Sequence, residues 1–331
     1  MPDPRPLLVT HSGKFHCDEV FAYVVLRLAL GLGEAGTDHT LVRTRDAALI
    51  ATGDVVWDVG SVHDTATARF DHHQRGAPAR EDGTPFSSAG LVWQVHGEAA
   101  MRALLPPAQQ SLAGAIAAEI DETVVRRIDE NDNGVSASPD DKLGLSSLVG
   151  DCNPGWDAVQ SDEATDAAFA VAVTLVDGVL RRRASALRAR LAAAAGIVAA
   201  HAASADPRIL ELDRGMPWKG AVFDHALPVL YAVYPVSNGN WMVDCMPPEP
   251  GSFAQRLPLP EAWAGLQNAA LAEASGVADA VFVHVRRFVG GARTREGALE
   301  MARRAVAIGE GSKVEALPQT PPKAGPLETA T

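Results

Sequence analysis

The stretch LLVTHSGKFHCDE, residues 7–19, holds the most informative pattern of this 331-residue chain. Its first four residues form an apolar run that stops at His11-Ser12-Gly13, which is typical of a buried strand ending in a loop. Apolar residues at helical spacing follow over residues 18–30 and predict a helix that starts at Asp18. The stretch therefore predicts a strand, a polar loop and a helix in succession.

The rest of the first half continues the alternation of short strands and helices. Strands are predicted at residues 41–44, 55–59 and 68–70, helices at 87–104 and 111–128, and a turn at 131–134. This order favours an α/β fold with a sheet covered on both faces.

The second half predicts a smaller α/β domain after long Ala-rich helices at residues 162–203. Arg181-Arg182-Arg183 in these helices is interpreted as a solvated face rather than a phosphate-binding patch. Two strands at 227–236 and 241–246 flank a hairpin signal, a strand is predicted at 280–285 and a helix at 294–308. The predicted domains are residues 1–160, connecting helices 161–205, a C-terminal domain 206–310 and a disordered tail 311–331.

The charge and the composition of the chain exclude some classes of function. The net charge of −12 argues against a broad duplex-binding surface, although it allows a site rich in carboxylates. The three cysteines are widely spaced and suit a reducing compartment. No signal-peptide pattern and no long apolar run is found, so we expect a cytoplasmic protein without a membrane span.

Histidines and aspartates follow the predicted strands of the first domain. His11, His16 and Asp18 follow the first strand, Asp58 ends the third, and Asp71-His72-His73 follow the fourth. Since ligands of open α/β sheets collect at the carboxyl ends of strands, we expect these groups to converge. His39 and His63 are interpreted as structural, because a lone histidine is usually a surface residue or a satisfied core residue. The His and Asp clusters after the strands are harder to explain by packing, because polar groups buried without partners are costly.

This mixture of side chains predicts a centre for two divalent cations. Imidazole and carboxylate together suit manganese, the first choice, or zinc, iron and cobalt better than magnesium or calcium. The two metals would activate a hydroxide and neutralise charge on a phosphoryl oxygen.

Several motifs together resemble the melanocyte-proliferating-gene (Myg) family of metal-dependent hydrolases, which is similar to the DHH phosphoesterase superfamily. They include residues 10–19 (THSGKFHCDE), Asp71-His72-His73, residues 153–156 (NPGW), 257–263 (LPLPEAW) and 290–298 (GGARTREGA). The resemblance covers the chain to about residue 308. It implies a DHH-type three-layer sheet domain joined by long helices to a smaller C-terminal domain that closes over the cleft.

The resemblance also implies how the ligands divide. One metal would take His11, His16 and Asp58, and the other Asp18, Asp58 as the bridge, His72 and an acid of the fourth motif. Asp132 is the preferred acid and Asp129 the alternative, although either could instead cap or salt-bridge the loop. The first motif departs from the commoner His-x3-Asp-x-Asp by one extra residue and by His16 in place of the first aspartate.

The two predicted catalytic residues lie in the Asp-His-His motif. His73 is expected to hydrogen-bond the scissile phosphate or the leaving oxygen, and Asp71 to orient a neighbouring histidine. Cys17 is expected to face away, with a thiolate ligand as the alternative.

A second set of residues is predicted to bind the substrate. Gly290-Gly291-x-Arg293-Thr294-Arg295 lies between a predicted strand and a helix, where glycine backbone, helix N-terminus and arginine suit a phosphate. A plain strand-to-helix turn is the alternative. His284 is a weaker candidate, and Arg75 and Lys14 of the first domain could assist.

The combined prediction is a phosphoester hydrolase that uses a two-metal-activated hydroxide. The family resemblance makes a 3′–5′ exoribonuclease or short-oligonucleotide hydrolase the first substrate prediction. The alternatives are a hydrolase of small phosphate compounds, such as a pyrophosphatase or a nucleotide phosphoesterase, and a non-catalytic, metal-stabilised RNA-binding regulator. Expected partners are RNA, a short oligonucleotide or a small phosphoester, with a homodimer left open.

Overall fold

The computed structural model describes residues 5–135 and 141–315, and the chain divides into two compact units, Met1–Arg188 and Ala189–Thr331. Both units are mixed α/β, as predicted, and each contains one five-stranded sheet. The predicted boundaries at residues 160 and 205 differ from this division, which falls inside one long helix, α7 (Asp162–Ala203).

The first unit is built around a sheet with the strand order β2-β1-β3-β5-β4. Its strands are β1 (Leu7–Thr10), β2 (Thr40–Arg43), β3 (Val55–Trp57), β4 (His63–Asp64) and β5 (Arg69–Phe70). Only β4 pairs antiparallel; β1, β2, β3 and β5 pair in parallel. The carboxyl ends of β1, β3 and β5 therefore lie side by side at one edge of the sheet.

The helices of this unit are those predicted, with two additions and one interruption. They are α1 (Cys17–Leu30), α2 (Ala47–Thr52), α3 (Ser88–Leu104), α4 (Ala113–Ile120), α5 (Arg126–Asp132) and α6 (Leu145–Gly150). The helix predicted at residues 111–128 is divided, because a 3-10 segment (Pro107–Leu112) precedes α4 and a π-helical turn (Asp121–Val125) separates α4 from α5. The short α2 and α6 and strand β4 were not predicted.

Helix α1 is almost entirely buried and packs against α3, where the rings of Phe21 and Trp93 lie 5.7 Å apart. It ends at Gly31, whose φ of 68° lets the chain turn in the left-handed region. The indole of Trp57, on β3, donates a 3.0 Å hydrogen bond to the backbone carbonyl of Glu19. This bond anchors the first turn of α1 to the sheet.

The second unit has the strand order β6-β7-β8-β10-β9, with β6 parallel to β7 and the other neighbours antiparallel. Its strands are β6 (Ile209–Glu211), β7 (Tyr231–Pro235), β8 (Trp241–Cys245), β9 (Ala280–Val283) and β10 (Val289–Ala292). Its helices are the C-terminal part of α7, α8 (Lys219–Asp224), α9 (Asn268–Ser275) and α10 (Arg295–Glu315).

Both faces of this second sheet are covered. Along β7, Tyr231 and Val233 belong to the core that includes α10, whereas Ala232 packs with Ile197 of α7 and with Trp218. The predicted hairpin is present as β7 and β8. Helix α10 continues to Glu315, past the predicted start of the tail at residue 311; residues 316–331 lie outside the described residues.

Among the described residues, no helix combines the length and the apolar character that a bilayer span requires.

Candidate metal centre

The edge formed by β1, β3 and β5 carries the polar cluster that was predicted from the sequence. His11 follows β1, Asp58 follows β3, and Asp71, His72 and His73 follow β5. The first turn of α1 adds Asp18 and Glu19, and the last residue of α5 adds Asp132. The cluster lies wholly within the first unit.

Asp58 lies between two histidines. Its Oδ2 is 3.2 Å from His11 Nε2, and its Oδ1 is 3.3 Å from His72 Nε2. Asp58 has φ of 55°, in the left-handed region, which ends β3 two residues earlier than predicted. Aspartate is one of the few non-glycine residues found routinely in this conformation.

Two further contacts of His72 extend the cluster to Asp132 and Asp18. His72 Nε2 also lies 3.3 Å from Asp132 Oδ2 and 4.0 Å from Asp18 Oδ2. Potential ligand atoms within 4.8 Å of one another occur in four groups: His11, His16 and Glu19; His16, Asp18 and Asp132; Asp18, Glu19 and Asp58; Asp58, His72 and His73. The exposed ring of His16 therefore lies within reach of acids on both sides of the cluster.

The distances fit cations. With bonds of about 2.0–2.2 Å to nitrogen and oxygen, two neighbouring ligands on one cation lie roughly 3.0–3.5 Å apart. The His11–Asp58, His72–Asp58 and His72–Asp132 separations of 3.2, 3.3 and 3.3 Å fall within this range.

Hydrogen bonds alone do not account for the cluster. Asp18, Glu19 and Asp58 are at most 4 % exposed, and three buried carboxylates within 4.8 Å of one another repel unless positive charge lies between them. In addition, the buried Asp18 Oδ1 receives no hydrogen bond from any described residue. The residues present therefore suit one or two divalent cations.

The pKa shifts of the cluster are also consistent with a cation site. Burial alone would lower the pKa of His11, but the neighbouring Asp58 and Glu19 raise it to about 10. Burial, and then the charge of Asp18, raise the pKa of Asp132 to about 8. Burial also opposes ionisation of Asp58, yet hydrogen bonds from His11 and His72 prevail and lower its pKa. Without metal the cluster thus retains protons, which cations would displace.

His73 and Asp71 form a unit beside the cluster. Asp71 Oδ1 accepts hydrogen bonds from His73 Nδ1 at 2.7 Å and from the backbone N–H groups of His72 and His73, and its Oδ2 accepts from the N–H of Ser61. The His73 side chain is 60 % exposed. The hydrogen bond to Asp71, opposed by burial, raises the pKa of His73.

Asp129, the alternative ligand of the fourth motif, lies outside the four groups. Its Oδ1 accepts hydrogen bonds from the backbone N–H and the hydroxyl of Ser87, and its Oδ2 accepts from Arg80. Its carboxylate is fully buried in these contacts. The ligand role considered for Asp129 therefore finds no support, because its oxygens hold the N-cap of α3.

Two histidines considered structural have structural contacts. His39 is buried between the hydroxyl of Tyr23 and the carboxylate of Asp38, each at 2.7 Å. His63 lies in β4 with its ring 6.3 Å from that of Phe70. Cys17 is buried, and burial raises the pKa of its thiol.

A cavity of about 270 Å³ opens beside the cluster. His16, Asp18 and Asp132 form one part of its lining, and Lys14 and Asn131 contribute to the rest.

The predicted glycine loop is wrong. Gly290 and Gly291 are inside β10, paired with β8 on one side and β9 on the other, so they form no phosphate-binding turn. A Cβ at Gly290 would lie 2.9 Å from the carbonyl oxygen of Phe282, and one at Gly291 would lie 2.7 Å from that of Trp241. Close strand packing explains both glycines.

The other predicted substrate-binding residues of the second unit have separate environments. Arg295 forms an ion pair with Glu211, and Thr294 hydrogen-bonds Asp279, whereas the side chain of Arg293 is exposed. His284 lies in the turn before β10, at the other end of that strand, and its ring is 4.6 Å from that of Phe288. Arg75, in the first unit, is exposed. Phosphate binding by these residues stays a prediction.

Glu19 is the residue of the cluster that sequence reasoning missed. The signal was present: it follows His16 by three positions, and residues three apart on a helix share a face.

Comparison with known proteins identifies the family. The family model MYG1_exonuc, described as "Uncharacterised protein family (UPF0160)", matches residues 7–306. The chain belongs to the MYG1 family. The MYG1 exonuclease of Homo sapiens is 36% identical over 91% of this chain and 86% of its own length. The MYG1 protein of Caenorhabditis elegans is 34% identical over 93% of this chain and 97% of its own. No solved structure matches the chain significantly.

Proposed function

We propose that this MYG1 family member is a divalent-cation-dependent phosphodiesterase, and more narrowly a 3′–5′ exoribonuclease or short-oligonucleotide hydrolase. The observation that carries the proposal is the position of Asp58, whose two carboxylate oxygens face the coordinating nitrogens of different histidines, His11 and His72. A carboxylate shared in this way suits a bridge between two cations. Relatives that bear the name MYG1 exonuclease support hydrolysis of nucleic acid.

The ligands would divide on either side of Asp58. His11 and His16 would hold one cation, and Asp18, His72 and Asp132 the other. Because the set mixes imidazole with carboxylate, manganese is the first choice, and zinc, iron or cobalt come before magnesium. When bound, the cations would supply Lewis acidity that acidifies water and neutralises phosphoryl charge.

His73 would act on the substrate directly. Since its Nδ1 is held by Asp71, the exposed ring can present a protonated Nε2. A donor at this position would stabilise negative charge on the scissile phosphate or on the leaving oxygen. Asp71 keeps the ring oriented for that contact.

The size of the cavity beside His16, Asp18 and Asp132 suits a small reacting group. Its volume of about 270 Å³ lies just below the roughly 300–1,000 Å³ of ordinary ligand pockets. A space of this size accepts the end of a single strand more readily than a duplex. It also suits a small phosphate compound, which is why that second candidate is kept.

A substrate panel tests the reaction. Protein stripped of metal and reloaded with Mn²⁺ is assayed on a 5′-labelled oligoribonucleotide, pyrophosphate and a chromogenic phosphodiester. We expect a ladder that shortens from the 3′ end. A labelled mononucleotide as first product would reverse the polarity, and pyrophosphate turnover alone would favour the small-compound hydrolase. Bound metal without any turnover would favour the RNA-binding regulator.

The bridging role is tested by Asp58→Asn. Asparagine tolerates the left-handed conformation at this position but removes the charge. We expect turnover to fall by at least about 1000-fold and both cations to bind more weakly, as measured by kinetics and by metal titration. His63→Ala, in the same sheet, is the control and should leave both unchanged. Wild-type turnover in Asp58→Asn would refute the bridge.

A further inference from the structure

Glu19 occupies an unusual place for a helix-capping acid. It is the third residue of α1, where a glutamate commonly accepts the N–H of the N-cap residue while its side chain faces water. Here Oε2 accepts the N–H of His16 at 2.8 Å, yet the residue is fully buried. Capping uses only one of the two carboxylate oxygens.

The other oxygen faces the coordinating atom of His11. Glu19 Oε1 lies 2.9 Å from His11 Nε2, close to the roughly 3.0 Å expected for two ligands at right angles on one cation. The His11 ring is turned so that its Nδ1 lies 3.1 Å from the carbonyl oxygen of Ser12. Its Nε2 is therefore the nitrogen that faces the acids.

Ligand atoms of Glu19 belong to two of the groups in the cluster. They lie within 4.8 Å of those of His11 and His16, and within 4.8 Å of those of Asp18 and Asp58. The indole of Trp57, which donates to the Glu19 carbonyl, holds the backbone in place. The cation that His11 and His16 would hold has Asp58 as its one carboxylate ligand so far, and Glu19 lies next to these residues.

We propose that Glu19 is a ligand of the cation held by His11 and His16, with Asp58 as the bridge. The proposal rests on the metal centre of the proposed function but not on its reaction. With Glu19 included, four carboxylates (Asp18, Glu19, Asp58 and Asp132) balance the charge of two divalent cations when the histidines are neutral.

Glu19→Gln separates the ligand role from the capping role. Glutamine serves a capping box as well as glutamate does, so the hydrogen bond to His16 N–H is retained and only the charge is lost. The metal-free full-length protein is titrated with MnCl₂. Calorimetry and the electron paramagnetic resonance of free Mn²⁺ give the number of sites and the affinity of each.

We expect wild type to bind two Mn²⁺ and Glu19→Gln to bind one of them about 100-fold more weakly. Asp132→Asn is the matched control and should weaken the other cation. Two Mn²⁺ bound to Glu19→Gln with wild-type affinity would reduce Glu19 to a helix cap and overturn the proposal.

A second measurement needs no variant. In crystals of the wild-type protein soaked with MnCl₂, an anomalous peak should lie about 2.0–2.2 Å from Glu19 Oε1. Two peaks that are both more than about 3 Å from Glu19 would overturn the proposal, and so would wild type that binds no Mn²⁺. If Mn²⁺ binds as expected but no phosphodiester is hydrolysed, the proposed function fails and the assignment of Glu19 holds.

Discussion

At the scale of single residues, Asp58 shows how backbone conformation serves the centre. A non-glycine residue in the left-handed region costs about 1–3 kcal/mol and persists only where its surroundings hold it. The conformation at Asp58 directs both carboxylate oxygens towards histidines from different loops. The strain is therefore tied to the position of the proposed bridge.

Asp71 makes a contribution to stability that depends on pH. Burial opposes its ionisation, but hydrogen bonds from His73 and from the N–H of Ser61 prevail and lower its pKa to about 2. Because the folded pKa lies below the ordinary value of about 3.9, the stabilisation is complete above about pH 4 to 5. It is lost as the pH falls through about 2.

We therefore expect Asp71→Asn to lower the unfolding free energy by about 2–3 kcal/mol at pH 7 and by about half as much at pH 3. Urea unfolding of the metal-free protein at both values measures this difference. Asp46→Asn, at the exposed N-cap of α2, should cause little loss at either pH. A loss of equal size at pH 7 and pH 3 would contradict the ionic origin of the effect.

At the scale of elements, α5 carries two acids one turn apart with different roles. Asp132 ends the helix at the cluster, whereas Asp129 holds Arg80 and the N-cap residue of α3, Ser87. Arg80 also binds Asp121, the first residue of the π-helical turn. The turn and the helix that follows it are thereby joined to the residues that precede α3.

The two acids should respond differently to the same substitution. Asp129→Asn should lower the unfolding free energy by about 3–5 kcal/mol, because it leaves the buried Arg80 guanidinium with one partner fewer. Asp132→Asn should weaken Mn²⁺ binding but leave the metal-free protein as stable as wild type at pH 7, since a pKa of about 8 keeps Asp132 largely protonated there.

Thermal unfolding of the metal-free proteins, combined with Mn²⁺ titration, compares the pair. Each variant is the control for the other, because the substitution is identical and the positions are one helical turn apart. A large loss of stability in Asp132→Asn, with metal binding impaired only in Asp129→Asn, would exchange the two roles.

At the scale of the whole molecule, the metal centre and the acidity of the chain are linked. The net charge of −12 includes the buried acids of the cluster, which repel one another without cations. A cation that binds the folded state and not the unfolded chain adds to stability by mass action. The first unit, which contains the complete cluster, should therefore gain stability from metal.

We expect free Mn²⁺ at about 100 times its dissociation constant to raise the unfolding free energy of that unit by about 2.7 kcal/mol for each site it fills. Differential scanning calorimetry with Mn²⁺ and with excess chelator measures the gain. Asp58→Asn should show a much smaller response. Equal melting profiles of wild type with and without Mn²⁺ would count against a cation site in the folded protein.

Much of the fold could be predicted from local sequence patterns. The run at residues 7–10 is β1, the helical spacing after it is α1, and the Ala-rich stretch at 162–203 is α7 with the predicted bounds. Two features could not be predicted from local patterns. The π-helical turn begins at Asp121, whose partner Arg80 lies 41 positions earlier in the sequence. Gly290 and Gly291 resemble a loop unless their neighbouring strands are known.

By itself, the sequence determined the class of the fold, the family and the residue types of the site, because hydrophobic periodicity and short motifs are local properties. His11, Asp58 and His72 were chosen from their positions after strands. Only the tertiary structure decided which acids join them: it brought Glu19 into the cluster, kept Asp132 there and placed Asp129 with Arg80. Distances between side chains from different elements depend on packing, which no local pattern contains.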